Sequence, residues 1–160
     1  GYQRTWTATT PNTLEFPPVD YLLKCLYKGD TILPAQLSVL NIEANDSISI
    51  NCCFFIIDVD DLAIIDKTEK GYQRIDVTNN IEEFQIDWVR VWAYQATEVF
   101  TAKPDPNRPR EKTLPRLDID FLEAGFNELG DGYRKEFYET TQPIPESVVL
   151  DCEFYKPKND

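Results

Sequence analysis

Residues 48–77, ISINCCFFIIDVDDLAIIDKTEKGYQRIDV, change their hydrophobic period twice. In the first ten positions Ile48, Ile50, Cys52, Phe54 and Ile56 alternate with Ser49, Asn51, Cys53, Phe55 and Ile57. That is a strand period, and its end is apolar on both faces, so the reading is a central, buried strand. Asp60 or Asp61 then serves as an N-cap, and a helix runs to about Glu69. Gly71 is its C-terminal stop. Residues 72–77 return to a strand period.

Outward from this unit, residues 1–18 are rich in Thr and Pro and read as extended. Asp20 caps a helical turn over residues 21–27, stopped by Gly29. Residues 36–42 form a strand, and Asn45-Asp46-Ser47 a turn. A second turn at residues 78–80 leads to a strand over 87–96. Its two faces carry Val89, Val91 and Ala93 on one side and Trp88, Trp92 and Tyr94 on the other. Residues 103–115, KPDPNRPREKTLP, read as a loop. Asp118 caps a helix with the stripe Ile119, Leu122, Phe126 and Leu129, ending at Gly130. A short helix with Tyr133 and Phe137 follows, then a final strand over 147–155. Strands dominate without a βαβ rhythm. The expected class is therefore α+β, with a mixed or mostly antiparallel sheet closed into a small barrel. GYQR occurs twice, at Gly1 and Gly71, but the flanks differ and no structural repeat follows.

The totals bound the function. A chain of 160 residues reads as one domain, residues 1–160. The net charge of -12 argues against nucleic acid or an anionic membrane as partner. No run of 18 apolar residues and no secretory leader is expected. With no histidine, Ser-His and Cys-His mechanisms and the usual zinc ligand sets are excluded. Cys25, Cys52, Cys53 and Cys152 lack metal-ligand spacing. They read as reduced core residues of a cytoplasmic protein, with a disulfide at Cys25 or Cys152 as the alternative.

Chemistry must then rest on a carboxylate, lysine, tyrosine or cysteine. Residues 58–69 have the length of a calcium loop, but Leu62 and Ala63 stand where a ligand and a glycine are needed. Glu69 is the more informative acid. Seven residues after Leu62, it returns to the same helix azimuth and continues the inward stripe past Ile65. Partial burial and the negative helix end both disfavour its charged form, which suits a proton shuttle. The plainer reading makes Glu69 a surface acid paired with Lys67, Lys70 or Arg74. Asp58, Asp60, Asp61 and Asp66 read as capping or solvated, and Glu82-Glu83 as a solvated turn. The Trp88, Trp92 and Tyr94 face reads as core. The basic loop over residues 103–112 is either solvated or a guide for an anionic ligand.

The order of these elements resembles the gamma-glutamylcyclotransferase-like family, which includes AIG2-like and ChaC-like proteins. Asp61-Leu62, Ile65-Asp66, Glu69, Gly71-Tyr72 and Arg74 fit its helix and following strand, and VRVWAYQA is similar to its aromatic strand ending in tyrosine. LDIDFLEAGFNELGDGYRKEF resembles its helix pair, and the opening GYQRTW resembles the segment after its first strand and loop. The resemblance covers roughly residues 1–95 and 115–140. It implies a mixed fold around a small barrel with flanking helices. It also implies cyclisation of a small-molecule γ-glutamyl amine or peptide to 5-oxoproline, with no cofactor and no metal. Glu69 matches the catalytic acid/base, and Tyr72 and Tyr94 are candidates for lining the substrate pocket. Two departures stand out. No Tyr-Gly-Ser or Tyr-Gly-Thr loop occurs, and the strand glycine before the helix is replaced near Asn51-Cys52. The expectation is a fragment of an enzyme or a member without its catalytic binding elements. Oligomeric state is left open by the sequence.

Overall fold

The computed structural model describes residues 1–14, 21–83, 88–103 and 105–157. In chain order the elements are β1 (Tyr2–Pro11), β2 (Leu22–Tyr27), β3 (Asp30–Ile32), β4 (Gln36–Ala44), α1 (Val59–Thr68) and β5 (Tyr72–Asp76). They continue with β6 (Trp92–Ala96), β7 (Lys112–Pro115), α2 (Arg116–Leu129), α3 (Asp131–Thr140), β8 (Val149–Leu150) and β9 (Cys152–Tyr155). The class is α+β. The described strands form three sheets, ordered β1-β4-β7-β8, β3-β2-β9 and β5-β6, and none of them closes into a barrel.

The first sheet is mixed. β1 and β4 are antiparallel, with a register shift between Thr5 and Ala8, while β4–β7 and β7–β8 are parallel. Trp6, Leu114 and Val149 form one core cluster, against which Leu40, Ile119, Leu122 and Ile144 pack. The α2 stripe therefore reaches the core through Ile119 and Leu122, and Phe126 is buried against the Phe137 ring of α3 at 5.0 Å. Leu129, the last residue of that stripe, is exposed.

Several expectations are corrected by pairing over long sequence distances. Residues 22–27 form a strand, not a helical turn. β2 lies between β3 and β9, and the β2–β3 reversal uses Lys28 and Gly29, both at positive φ, which matches the twist of a two-residue hairpin. The expected cap, Asp20, lies outside the described residues, as does Asp87. β9 sets Cys152 directly opposite Cys25, and the two form a disulfide. The reading of four reduced core cysteines therefore fails. Cys52 and Cys53 are free, but they are exposed.

Residues 48–57 form no strand. Phe55 and Ile56 are exposed, the latter fully. The free edge of β1 is already bridged, Arg4 to Thr141 and Ala8 to Thr101. The Arg4 guanidinium instead binds the Asn51 backbone carbonyl and side chain, and Asn51 Nδ2 donates to the Tyr133 carbonyl. Asn51 is thus held by side chains rather than by a ladder. The end of the expected loop over residues 103–115 becomes β7, buried throughout between β4 and β8. The expected last strand breaks at Asp151 into β8 and β9, which serve different sheets.

Candidate functional site

α1 starts after Asp58, two or three residues earlier than the expected cap at Asp60 or Asp61, which instead stand in its first turn, where the helix dipole favours acids. Only Leu62, Ile65 and Glu69 of this unit are shielded to an intermediate degree, and the remaining residues are exposed. The stripe read from the 3.6-residue period is therefore the inward one, and Glu69 stands at its end as the C-cap. The Glu69 amide donates to the Ile65 carbonyl at 3.0 Å, and its own carbonyl accepts from the Tyr72 amide at 3.1 Å. Gly71, between them, has φ +89°, and a Cβ there would lie 3.0 Å from the Phe100 ring. Only glycine lets the chain turn this sharply from α1 into β5.

β5 and β6 pair with Tyr72 opposite Ala96 and Arg74 opposite Tyr94. This hairpin docks on β4 through three polar contacts. Tyr72 Oη donates to the Leu40 carbonyl at 2.8 Å, Gln95 Nε2 to the Ile42 carbonyl at 3.0 Å, and the Ala96 amide to Asn41 Oδ1 at 2.8 Å. Tyr94 Oη donates to Asp66 Oδ1 at 2.8 Å, and Arg74 pairs with the other Asp66 oxygen at 3.0 Å. The Arg74 guanidinium also lies 4.8 Å from the Trp92 ring centroid. Trp88 and Trp92 are exposed, which corrects the expectation that this aromatic face is core. A two-stranded hairpin docked by one side leaves its other side to solvent.

The three residues singled out by sequence thus share one end of α1. Burial pushes the Tyr72 phenol up to about 12, and the charge of Glu69 adds to this. Burial also pushes the Tyr94 phenol up to about 12, aided by its bond to Asp66 and, more weakly, by Glu69, while Arg74 opposes. Both phenols are proton donors near neutral pH, and both protons are already engaged. The Glu69 carboxylate forms no hydrogen bond or ion pair with any described residue, and Arg74 pairs with Asp66 instead. Pairing of Glu69 with Lys67, Lys70 or Arg74 is therefore not realised. An open carboxylate flanked by two neutral phenols is an available proton acceptor.

Neighbouring Thr68 lines a cavity of about 310 Å³ between β1, β2, β4, β9 and α2. Neither Tyr72 nor Tyr94 lines it. Its walls include Leu23, Leu37, Val39, Leu117 and Phe121, and among the described residues one carboxylate, Asp118, lines it. Asp118 does not cap α2, whose N-cap is Pro115. Burial pushes its carboxyl up to about 6. Sequence reasoning placed Asp118 at the helix start and gave no sign of the cavity. Lys112 was equally hidden. It ends a loop that reads as solvated, yet it is buried, its ammonium donates to the Thr7 and Ala102 carbonyls, and burial lowers it to about 8. Among the described residues no group of three or more His, Cys, Asp and Glu side chains is placed to hold a metal ion, and no helix is long and apolar enough to cross a membrane.

No family model, no curated protein and no solved structure matches the chain.

Proposed function

We propose that the chain has a gamma-glutamylcyclotransferase-like fold and converts a γ-glutamyl amine or peptide to 5-oxoproline. The observation that carries the reading is the open Glu69 carboxylate at the end of the inward α1 stripe, beside the neutral phenols of Tyr72 and Tyr94. In this reaction the α-amine of the γ-glutamyl group attacks its own γ-carbonyl. A C–N bond forms, the five-membered ring closes, and the bond to the leaving nitrogen breaks. Glu69 takes the proton released by the attacking amine and returns it to the leaving nitrogen, so the carboxylate is regenerated. Because nucleophile and electrophile belong to one molecule, the protein has chiefly to orient them and move a proton. Tyr72 is held by the Leu40 carbonyl and Tyr94 by Asp66, so both phenols are fixed in place.

A second reading, a non-catalytic binding member of the same fold, is favoured by one observation. No Tyr-Gly-Ser or Tyr-Gly-Thr sequence occurs in these 160 residues to supply backbone donors for a substrate carboxylate or oxyanion. The cytoplasmic placement rests on reduced cysteines, and the Cys25–Cys152 disulfide favours an oxidising compartment instead.

The test is release of 5-oxoproline, measured by mass spectrometry, from a panel of γ-glutamyl dipeptides and amines. Turnover by the wild type that falls about 100-fold or more in Glu69→Gln supports the enzyme. Turnover unchanged in Glu69→Gln removes the role of Glu69. No turnover of any substrate, with a γ-glutamyl compound still bound, selects the non-catalytic reading.

A further inference from the structure

The cavity beside α2 offers a site that is independent of the chemistry at Glu69. A carboxylate placed among apolar groups is ordinarily paired or hydrogen-bonded, because desolvating a charge is costly. Asp118 breaks that rule. It makes no hydrogen bond or ion pair with any described residue, although it is only partly exposed and stands in the first turn of α2, where it could cap. Asp118 lines the cavity and keeps partial exposure. The floor is apolar, built by Leu23, Leu37, Val39 and Leu117. The walls near the rim are aromatic: Tyr21 packs edge-on against Phe154 with ring centroids 4.6 Å apart, and exposed Phe121 faces the same space.

We propose that this cavity binds a small organic ammonium ion with an apolar, preferably aromatic, body, its charged nitrogen donating to Asp118. Charge complementarity selects the class. Among the described residues the single charged group lining the cavity is negative, the aromatic faces of Tyr21 and Phe154 attract cations, and the net charge of -12 draws cations and repels anions. Size limits the ligand: about 310 Å³ lies at the lower end of small-molecule sites and equals the liquid volume of about ten waters. The low polarity around Asp118 strengthens a hydrogen bond from an ammonium donor that reaches it.

The experiment is an amide NMR titration at pH 7.5 with three probes of one shape: 2-phenylethylamine, 2-phenylethanol and 3-phenylpropionate. The amine is expected to bind about tenfold or more tighter than the alcohol, with shifts at the amides of Leu23, Leu37 and Phe121, and the carboxylate not to bind. Asp118→Asn keeps the shape and removes the charge, so it should bring the amine down to the level of the alcohol. Leu37→Phe fills the floor while leaving Asp118 in place, and should weaken both. An amine no tighter than the alcohol, or an amine affinity retained in Asp118→Asn, overturns the proposal. Shifts confined to other faces of the protein do the same.

Discussion

Replacing Asp118 by Asn is expected to make the protein more stable at alkaline pH, although it deletes a helix-first-turn acid. In the unfolded chain this carboxyl titrates at its ordinary 3.8, and in the folded protein burial raises it to about 6. The folded state therefore holds the proton more tightly. The contribution of Asp118 to stability is fully present below about pH 4, declines as pH rises towards 6, and is lost above that. At about 1.4 kcal/mol per pH unit, the rise from 3.8 to about 6 corresponds to about 3 kcal/mol. Two effects reduce it. The side chain keeps some contact with solvent, and the positive end of α2 returns about 0.5 kcal/mol to the charged form. About 2 kcal/mol should remain as the gain of Asp118→Asn at pH 8, shrinking to about 0.5 kcal/mol at pH 4. The assay is urea unfolding of both proteins at both pH values with the disulfide intact. At typical urea slopes the midpoint should move up by about 1 M at pH 8. Asp76, held down to about 2 by its bonds to Thr78 and Arg90, gives stability lost on acidification, but it is common to both proteins and cancels. An Asn variant no more stable than wild type at pH 8, or equally stabilised at both pH values, would refute the argument that an unpaired buried charge strains this cavity.

Gly71→Ala forces a side chain into φ +89° and against Phe100, which should cost about 2 kcal/mol and lower Tm by about 4–8 °C. An unchanged Tm in a calorimetric scan would show that the α1–β5 turn adjusts freely. Cys25→Ser combined with Cys152→Ser opens a cross-link over a sequence separation of 127 and should lose about 5 kcal/mol by chain-entropy reasoning. Equal urea midpoints for oxidised wild type and the double variant would rule that out. Tyr72→Phe removes the bond to the Leu40 carbonyl and should cost about 1–2 kcal/mol. Hydrogen exchange that speeds up across β5 and β6, but not in β1, would place that loss in hairpin docking.

The sequence by itself determined the elements whose rules act within a few residues. The α1 stripe Leu62, Ile65 and Glu69, the Gly71 stop and the β5 strand follow from a 3.6-residue period, a positive-φ requirement and a change to alternation. The α2 and α3 helices and their break at Gly130 were legible for the same reason. Only the tertiary structure decided which strand-like segments found partners. Residues 48–57 alternate as well as any strand but meet a β1 edge already bridged, while residues 22–27 become a strand because β9, over a hundred residues later, pairs with them. The Cys25–Cys152 disulfide, the burial of Lys112 and the turning of Asp118 into a cavity have the same origin. Local pattern states what a segment can be, whereas burial and pairing depend on surfaces contributed by residues that are remote in the chain and invisible to any short window.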